Sequence, residues 1–200
     1  MVFRCAYGPV IADSQPWAEL LFGRCDPRAL RMSRLRGKRL AQSMSAELLC
    51  RSLLEELRPG ESHCLQEDVS GKPFLPHCPL FISISHSGGY VAAALADTPL
   101  GIDLQEMREI REGVLRRCCS EAERRWIDAG NPAERAVRLW TMKEAYGKMT
   151  GAGIFRGDRF HAGFEGDRLI TRYEGIEFLF PAAPEGYLYT VCLADPANGA

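Results

Sequence analysis

Residues 140–148 read Trp-Thr-Met-Lys-Glu-Ala-Tyr-Gly-Lys. The prediction of the second half of the fold starts from this stretch and extends to the residues on either side of it. The segment 131–134, Asn-Pro-Ala-Glu, is typical of a helix start, with an N-cap, a proline at the first helical position and an acid three residues after the cap. Gly151 follows the stretch and predicts its end. We therefore predict a helix from Asn131 to about Met149.

An inward-facing stripe along this helix carries charge as well as apolar side chains. Its predicted members are Ala133, Val137, Trp140, Glu144 and Lys148. A desolvated carboxylate without a cation costs several kcal/mol, so we expect Glu144 to be paired with Lys148, with a metal ion or with both. A plain i,i+4 ion pair on an exposed face, contributing about 0.3–0.5 kcal/mol, is the alternative interpretation.

Three strands are predicted upstream of the helix. Phe81–Ser85 alternates apolar and small polar side chains, a turn follows at 88–89, and Tyr90–Leu95 returns as a second strand. The third strand is Leu100–Gln105. Its residues alternate between two faces, Leu100, Ile102 and Leu104 on one and Gly101, Asp103 and Gln105 on the other.

Asp103 indicates a function because acids are depleted from strands and this one has apolar neighbours. A carboxylate from the strand, a carboxylate from Glu144 and the amide oxygen of Gln105 would form a set of hard oxygen donors. Such a set suits Mg²⁺, which keeps several waters and shares the oxygens of substrate phosphates. The sequence therefore predicts a magnesium site with Asp103, Gln105 and Glu144 as ligands.

The remaining chain is patterned as a mixture of helices and strands. Further helices are predicted from Asp26-Pro27, over 38–57 and over 112–129, and strand-like pieces over 160–164, 168–173, 176–180 and 187–193. Gly89-Tyr90 leads through an apolar run to Leu95-Ala96-Asp97, and Gly186-Tyr187 leads likewise to Leu193-Ala194-Asp195. Coincidence is one explanation of this echo; the other is an α+β fold of two similar halves, 1–100 and 101–200, related by pseudo-symmetry, with a ligand-binding cleft between them.

Composition favours a cytoplasmic protein without a membrane partner. The chain of 200 residues has a net charge of −1, and its eight cysteines include no Cys-x-x-Cys pair, so we expect reduced thiols. The N-terminus lacks a continuous apolar segment, and no apolar run approaches the roughly 20 residues that cross a bilayer.

A basic cluster at 24–39 holds seven cationic residues against one acid, Asp26. A solvated helix face is the plain interpretation of such a cluster. A nucleic-acid-binding module is a rival interpretation and predicts steep salt dependence. That rival leaves Asp103 and Glu144 without a role, so we expect no nucleic-acid partner.

Two short motifs lie between the basic cluster and Asp103. Ser85-His86-Ser87 precedes the glycine turn, and its hydroxyls, imidazole and backbone N–H groups suit phosphate, although a capped turn histidine is an equally simple interpretation. Lys72 lies between Gly71 and Pro73, and the proline biases the lysine backbone to an extended conformation. The spacing of a Walker loop is absent.

Taken in order, four motifs resemble the signature of the 4′-phosphopantetheinyl transferases of the surfactin-synthetase-activating type. They are Gly71-Lys72-Pro73, Ser85-His86-Ser87, Gly101-Ile102-Asp103-Leu104-Gln105 and Trp140-x-x-Lys143-Glu144-Ala145-x-x-Lys148. The resemblance covers 71–153 and is looser elsewhere. It implies a monomer of two α+β halves with pseudo-twofold symmetry that folds coenzyme A into the cleft, with Mg²⁺ on the pyrophosphate. A serine of an apo acyl or peptidyl carrier protein then attacks the β-phosphorus, and adenosine 3′,5′-bisphosphate is released.

The resemblance also implies a role for each matching residue. Asp103 and Glu144 would be catalytic metal ligands, and Glu144 would act directly or through water as the base for the carrier serine. Lys148 would stabilise the charge on the transferred and departing phosphates. Coenzyme A would be bound by these further positions: Arg28 and Arg31 at the 3′-phosphate, and Gly71, Lys72, Pro73, Ser85 and His86 near the other phosphates.

Gln105 departs from the family pattern, which usually has a second acid two residues after the aspartate. The amide can ligate Mg²⁺ but adds no charge, so we expect greater reliance on the phosphates of coenzyme A. A non-catalytic homologue that binds coenzyme A or carrier proteins is therefore a second alternative. The segment 114–126 resembles the region that meets the carrier protein, although aromatic residues are commoner in the family where Cys118 and Cys119 stand.

Overall fold

The computed structural model describes residues 2–12, 32, 34–61, 65–68, 71–155 and 159–195, and every structural statement below concerns these residues. The helix start predicted at Asp26-Pro27 lies outside them. So do Arg28 and Arg31, together with most of the basic cluster.

Helices and antiparallel strands both contribute to the described chain, which confirms the α+β fold class. The helices are α1 (Gly37–Leu57), α2 (Glu112–Cys118), α3 (Glu121–Asp128) and α4 (Pro132–Thr150). The strands are β1 (Phe3–Pro9), β2 (Gln66–Glu67), β3 (Pro73–Phe74), β4 (Phe81–Ser87), β5 (Tyr90–Ala96), β6 (Leu100–Glu106), β7 (Phe164–Glu165), β8 (Arg168–Leu169), β9 (Arg172–Tyr173), β10 (Ile176–Leu179) and β11 (Tyr187–Ala194). Among the helices described, none is both long enough and apolar enough to cross a bilayer.

The chain divides into two compact units, Met1–Asp97 and Thr98–Ala200. In the first unit, α1 packs on a three-stranded antiparallel sheet with the strand order β1-β5-β4. The central strand β5 carries a run of fully buried alanines at 92–94, of which Ala93 lies on the face that packs against Cys50, Leu53 and Leu54 of α1. Leu53, Ile82 and Leu95 fill the core of this unit.

The second unit is a four-stranded antiparallel sheet, ordered β6-β11-β10-β9, with α4 lying on β6 and β11. The start of α4 is as predicted, because the side chain of Asn131 accepts a hydrogen bond from the backbone N–H of Glu134 at 3.4 Å and Pro132 is the first helical residue. Its end is also as predicted, at Gly151 in the left-handed conformation with φ 76°. The core beneath α4 contains Leu139, Met142, Ala145, Phe178 and Cys192.

The single helix predicted over 112–129 is wrong, since α2 and α3 are separate helices that meet at Cys119 and Ser120. Ser120 caps α3 by accepting a hydrogen bond from the backbone N–H of Glu123 at 3.2 Å. The side chain of Glu123 in turn accepts from the backbone N–H of Ser120 at 2.6 Å. This reciprocal capping box starts a new helix in the middle of a continuous helical pattern.

Three strand predictions also need correction. β4 contains Ser85 as predicted but continues to Ser87, so His86 lies within a strand and not in the turn, which begins at Gly88. Of the predicted strand 160–164, only Phe164 belongs to a strand, β7. The predicted strand 168–173 consists of two short strands, β8 and β9, which belong to different sheets.

Candidate active site

Gly101 sets how closely α4 approaches β6. A Cβ atom at this position would collide with the carbonyl oxygen of Ala145 and the backbone nitrogen of Met149. Only glycine allows this backbone-to-backbone contact. The contact brings the helical turn of Glu144 and Lys148 onto the face of β6 that carries Asp103.

Asp103 and Lys148 form an ion pair between the strand and the helix. The Lys148 ammonium donates to Oδ1 of Asp103 at 2.8 Å. The carboxylate is buried, with 8% of its side chain exposed, whereas the lysine side chain is 31% exposed. The pair therefore has one buried, fixed end and one end that solvent and a ligand can reach.

Glu144 lies within the electric field of both partners. Its pKa is raised, chiefly because burial disfavours the ionised form and also because the negative charge of Asp103 repels it, while Lys148 acts in the opposite direction. The structure thus brings together Asp103, Glu144 and Lys148, but the ion pair of Lys148 is with Asp103, whereas the sequence predicted Glu144 as its partner. The prediction that Ala133 belongs to the buried stripe is wrong, because that residue is exposed at the first turn of α4.

Gln105 is buried on β6, two residues beyond Asp103. Its amide nitrogen donates to the backbone carbonyl of Glu106 at 3.2 Å. This bond fixes the position of the amide nitrogen. The amide oxygen is the atom of this side chain that can accept a hydrogen bond or ligate a metal ion.

A pair of buried threonines joins α4 to β11 beside these residues. Thr141 on α4 and Thr190 on β11 are both fully buried, and their hydroxyl oxygens are 2.7 Å apart. The Thr141 hydroxyl also donates to the carbonyl of Arg138 at 2.9 Å. Thr190 is the cross-strand partner of Asp103, so this hydrogen-bond chain fixes the spacing between helix and sheet next to the acidic residues.

The donor chemistry of these residues fits a hard divalent cation. Two carboxylates that repel each other in a partly desolvated position are stabilised by a cation, and carboxylate and amide oxygens are the ligands that Mg²⁺ prefers. The described residues contain no group of three or more His, Cys, Asp or Glu placed to hold a metal ion. The predicted set has two acids, so its further ligands would be Gln105, water or substrate.

Lys143, the neighbour of Glu144, forms a second and different ion pair that sequence reasoning missed. Its ammonium donates to Oε1 of Glu123 and to the carbonyl of Phe160, each at 2.7 Å. The two charged side chains are 4% and 0% exposed. Burial alone would raise the pKa of Glu123, but the charge and hydrogen bond of Lys143 and the backbone N–H groups of Ala162 and Ser120 outweigh it and lower this pKa.

The sequence indicates where Glu123 lies but not which residue it pairs with. Ser120-x-x-Glu123 is the pattern of a capping box, which places the acid at the start of a helix. The sequence does not reveal that the same carboxylate reaches a lysine 20 positions later. Only the packing of α3 against α4 brings them together.

In the first unit, Gly71 and Lys72 lie between β2 and β3, and Pro73 is the first residue of β3. The backbone N–H of Lys72 donates to the side chain of Asp68 at 2.9 Å, and Gly71 has φ 84°, which favours glycine. Lys72 lies at a cavity of about 490 Å³ whose apolar wall includes Phe74 and Phe81. Burial lowers the pKa of Lys72, and Asp68 partly offsets that effect.

Ser85 and His86 are adjacent on β4, and their side chains point to opposite faces of the sheet. Ser85 is buried and His86 is exposed. The two side chains therefore do not share one face, and the prediction that both bind coenzyme A phosphates remains untested. The predicted contacts of Arg28 and Arg31 lie outside the described residues.

Comparison with known proteins defines the class of this site. Residues 99–192 match the model of the 4′-phosphopantetheinyl transferase superfamily, a segment that runs from the start of β6 into β11 and includes all of α4. The matched segment contains Asp103, Gln105, Glu144 and Lys148. This part of the chain is therefore similar to that superfamily, which supports the resemblance found in the sequence motifs.

Individual relatives agree with the family match. The chain is 35% identical over 123 residues to 4′-phosphopantetheinyl transferase psf-1 of Bacillus pumilus, covering 58% of this chain and 52% of the relative. It is 30% identical over 119 residues to 4′-phosphopantetheinyl transferase gsp of Aneurinibacillus migulanus, covering 57% and 50%. A 4′-phosphopantetheinyl transferase of Bacillus subtilis is 31% identical over 136 residues, covering 63% and 61%. The matches thus span about half to three fifths of these relatives.

Proposed function

We propose that this protein transfers the 4′-phosphopantetheine group of coenzyme A to a serine hydroxyl of an apo acyl or peptidyl carrier protein in a Mg²⁺-dependent reaction. The observation that carries the proposal is the convergence of Asp103, Glu144 and Lys148 within the segment that matches the superfamily. The names of the relatives supply the transferred group. The coproduct is adenosine 3′,5′-bisphosphate.

Asp103 and Glu144 would hold the Mg²⁺ ion, with the amide oxygen of Gln105 as a neutral third ligand. When bound, the ion neutralises charge on the pyrophosphate that is being cleaved. The two acids supply the charge, and burial of Asp103 fixes one ligand in place. Because Gln105 adds no charge, the phosphates of coenzyme A complete the site.

Glu144 accepts the proton of the carrier serine as that hydroxyl attacks the β-phosphorus, directly or through one water. A carboxylate whose pKa lies above the ordinary value is a better proton acceptor than an exposed glutamate. Lys148 donates to the phosphate oxygens on which negative charge grows. Its ion pair with Asp103 positions the ammonium before the substrate arrives.

Coenzyme A would also contact the first unit, through Gly71, Lys72 and Pro73 and through Ser85 and His86. The partly desolvated ammonium of Lys72 favours a phosphate partner, which would restore the stabilisation that burial removes. Residues 114–126, on α2 and α3, would meet the carrier protein. We also infer a monomer that acts in the cytoplasm and has no nucleic-acid partner.

One assay tests the proposal and separates its rivals. The protein is incubated with fluorescently labelled coenzyme A, Mg²⁺ and apo carrier proteins from fatty-acid, polyketide and peptide synthesis, and label on the carrier is followed by gel and mass spectrometry. We expect label on the carrier serine, none on a serine-to-alanine carrier, and loss of transfer with Lys148→Met. A chelator should abolish the reaction and excess Mg²⁺ should restore it.

Failure with every carrier would overturn the proposed activity. Coenzyme A binding without transfer would point to the non-catalytic homologue. RNA binding with a steep salt dependence, unaffected by Glu144→Gln, would instead support the nucleic-acid-binding module.

A further inference from the structure

Two adjacent cysteines at the junction of α2 and α3 have no part in the chemical steps of the proposed transfer reaction, although they lie in the segment proposed to meet the carrier protein. The Sγ atoms of Cys118 and Cys119 are 3.7 Å apart and share an S–H···S hydrogen bond. Cys118 is buried, whereas Cys119 is partly exposed. The two thiols therefore face each other, and one of them can be reached from solvent.

The backbone at this pair is already irregular. Cys118 is the last residue of α2, and Cys119 is its C-cap, with an extended backbone at φ −104° and ψ 138°. The Cys119 N–H still donates to the carbonyl of Leu115 at 2.8 Å, and Ser120 then caps α3. A covalent change at the pair can thus be absorbed at a helix junction without disturbing a helix interior.

The surroundings distinguish the two thiols. The hydrogen bond from Cys119 is the main cause of a lowered pKa at Cys118; burial opposes it, Lys143 favours the thiolate, and Glu123 disfavours it. The same contact, together with burial, raises the pKa of Cys119. Cys118 is thus the thiol that ionises more readily, whereas Cys119 is the one that solvent reaches, and the two exchange a proton through their shared hydrogen bond.

We infer that Cys118 and Cys119 form a thiol–disulfide exchange site that reacts with low-molecular-weight disulfides and closes to a disulfide between the two adjacent residues. In the first step, one thiolate of the pair attacks one sulfur of the small disulfide, and the released thiolate takes up a proton. The other thiol then loses its proton and attacks the protein sulfur of the mixed disulfide, releasing the second small thiol. Two protein thiols are oxidised and one small disulfide is reduced to two thiols.

The experiment uses the full reduced chain and oxidised glutathione as the probe. After native incubation, free thiols are trapped by acid quenching and alkylation under denaturing conditions, and the peptide that contains 118–119 is analysed by mass spectrometry. We expect that peptide to lose two hydrogen atoms and to escape alkylation, and dithiothreitol should reverse both changes. Cys192 is the internal reference, because burial raises its pKa to about 12 and it should remain alkylatable.

Single variants separate the two steps. Cys118→Ser and Cys119→Ser should each stop at a mixed disulfide between the remaining cysteine and glutathione, and the faster of the two identifies the attacking thiol. The inference is overturned if the wild-type peptide stays fully alkylatable, stops at the mixed disulfide, or links Cys118 to a distant cysteine. None of these readouts depends on transferase activity, so the inference stands or falls separately from the proposed function.

Discussion

Two ion pairs extend from neighbouring parts of α4, and they differ in how completely they are satisfied. Lys143 lies between Glu123 and the carbonyl of Phe160, and both charged side chains are buried. Lys148 pairs with the buried carboxylate of Asp103 but keeps about a third of its own side chain exposed. The first pair is enclosed by protein, and the second is open to a ligand.

The difference lies in what surrounds each acid. Glu123 receives backbone N–H groups and a lysine, which together keep it ionised despite its burial. Glu144 is partly desolvated and faces the like charge of Asp103, which raises its pKa. Two adjacent residues of one helix thus have different roles. Lys143 stabilises the fold, whereas Glu144 lies in an environment that disfavours its negative charge and that a bound cation would make favourable.

The largest effect is expected when Glu144, the acid that neighbours the open pair, loses its charge. Glu144→Gln should reduce the transfer rate by about 10²–10⁴-fold, the range typical of removing a general base, while the free energy of unfolding stays the same or rises. Steady-state transfer and urea unfolding would be measured together. Glu185→Gln, at an exposed acid in the same unit, is the matched control and should leave both unchanged.

Breaking the enclosed pair should have the opposite signature. Lys143→Met leaves the carboxylate of Glu123 buried without its cation, and we expect a loss of about 3–5 kcal/mol in the free energy of unfolding. The double variant Lys143→Met/Glu123→Gln should recover part of that loss, because it removes both charges. A single variant as stable as wild type would contradict the assignment of this pair to the fold.

The contribution of the enclosed pair, Lys143 and Glu123, to stability should depend on pH. The folded-state pKa of Glu123 is below its unfolded value of about 4.3, so its contribution is complete above that value and is lost as the pH falls through the folded pKa. Wild-type stability should therefore fall more steeply below about pH 4 than that of the Lys143→Met/Glu123→Gln double variant. Parallel curves in urea unfolding across this range would contradict a lowered pKa.

Sequence patterns predicted the acids at the open site better than they predicted the enclosed pair of Lys143 and Glu123. The unusual acid on β6 and the helix carrying Glu144 were both visible, since an isolated acid among apolar residues stands out in a strand. The partner of Lys143 was not visible, because it depends on how α3 packs against α4. The prediction of one continuous helix over 112–129 failed for a related reason: a local capping box at Ser120 prevailed over the helical periodicity.

In the first unit, too, local features were predicted better than features that depend on packing. The bounds of α1 and the glycine turn after β4 agree with the prediction, because a long helical pattern of apolar residues and a glycine at position 88 are strong local signals. It was harder to predict that His86 belongs to β4, with its side chain on the face opposite that of Ser85, since this depends on how far β4 continues before that turn.

A moderate effect is expected from restoring charge to the open site. Gln105→Glu would add a third carboxylate near Asp103, and the Mg²⁺ concentration for half-maximal transfer should fall several-fold. Gln105→Met, which removes the amide oxygen at similar volume, should raise that concentration. Equal Mg²⁺ dependence in all three proteins would show that position 105 does not contribute to metal binding.

The smallest effect is expected at the hydroxyl pair that joins α4 to β11. The hydroxyl of Thr141 donates to the carbonyl of Arg138, so Thr190 must donate to Thr141. Thr141→Val leaves the buried Thr190 donor without its acceptor and should cost about 1–3 kcal/mol in the free energy of unfolding, whereas Thr141→Val/Thr190→Val should recover part of that cost because neither hydroxyl remains. If the pair also holds Glu144 at its distance from Asp103, transfer should decline modestly in the single variant and return in the double variant. Recovery of stability without recovery of transfer would mean that the threonines support the fold and leave the open pair unaffected.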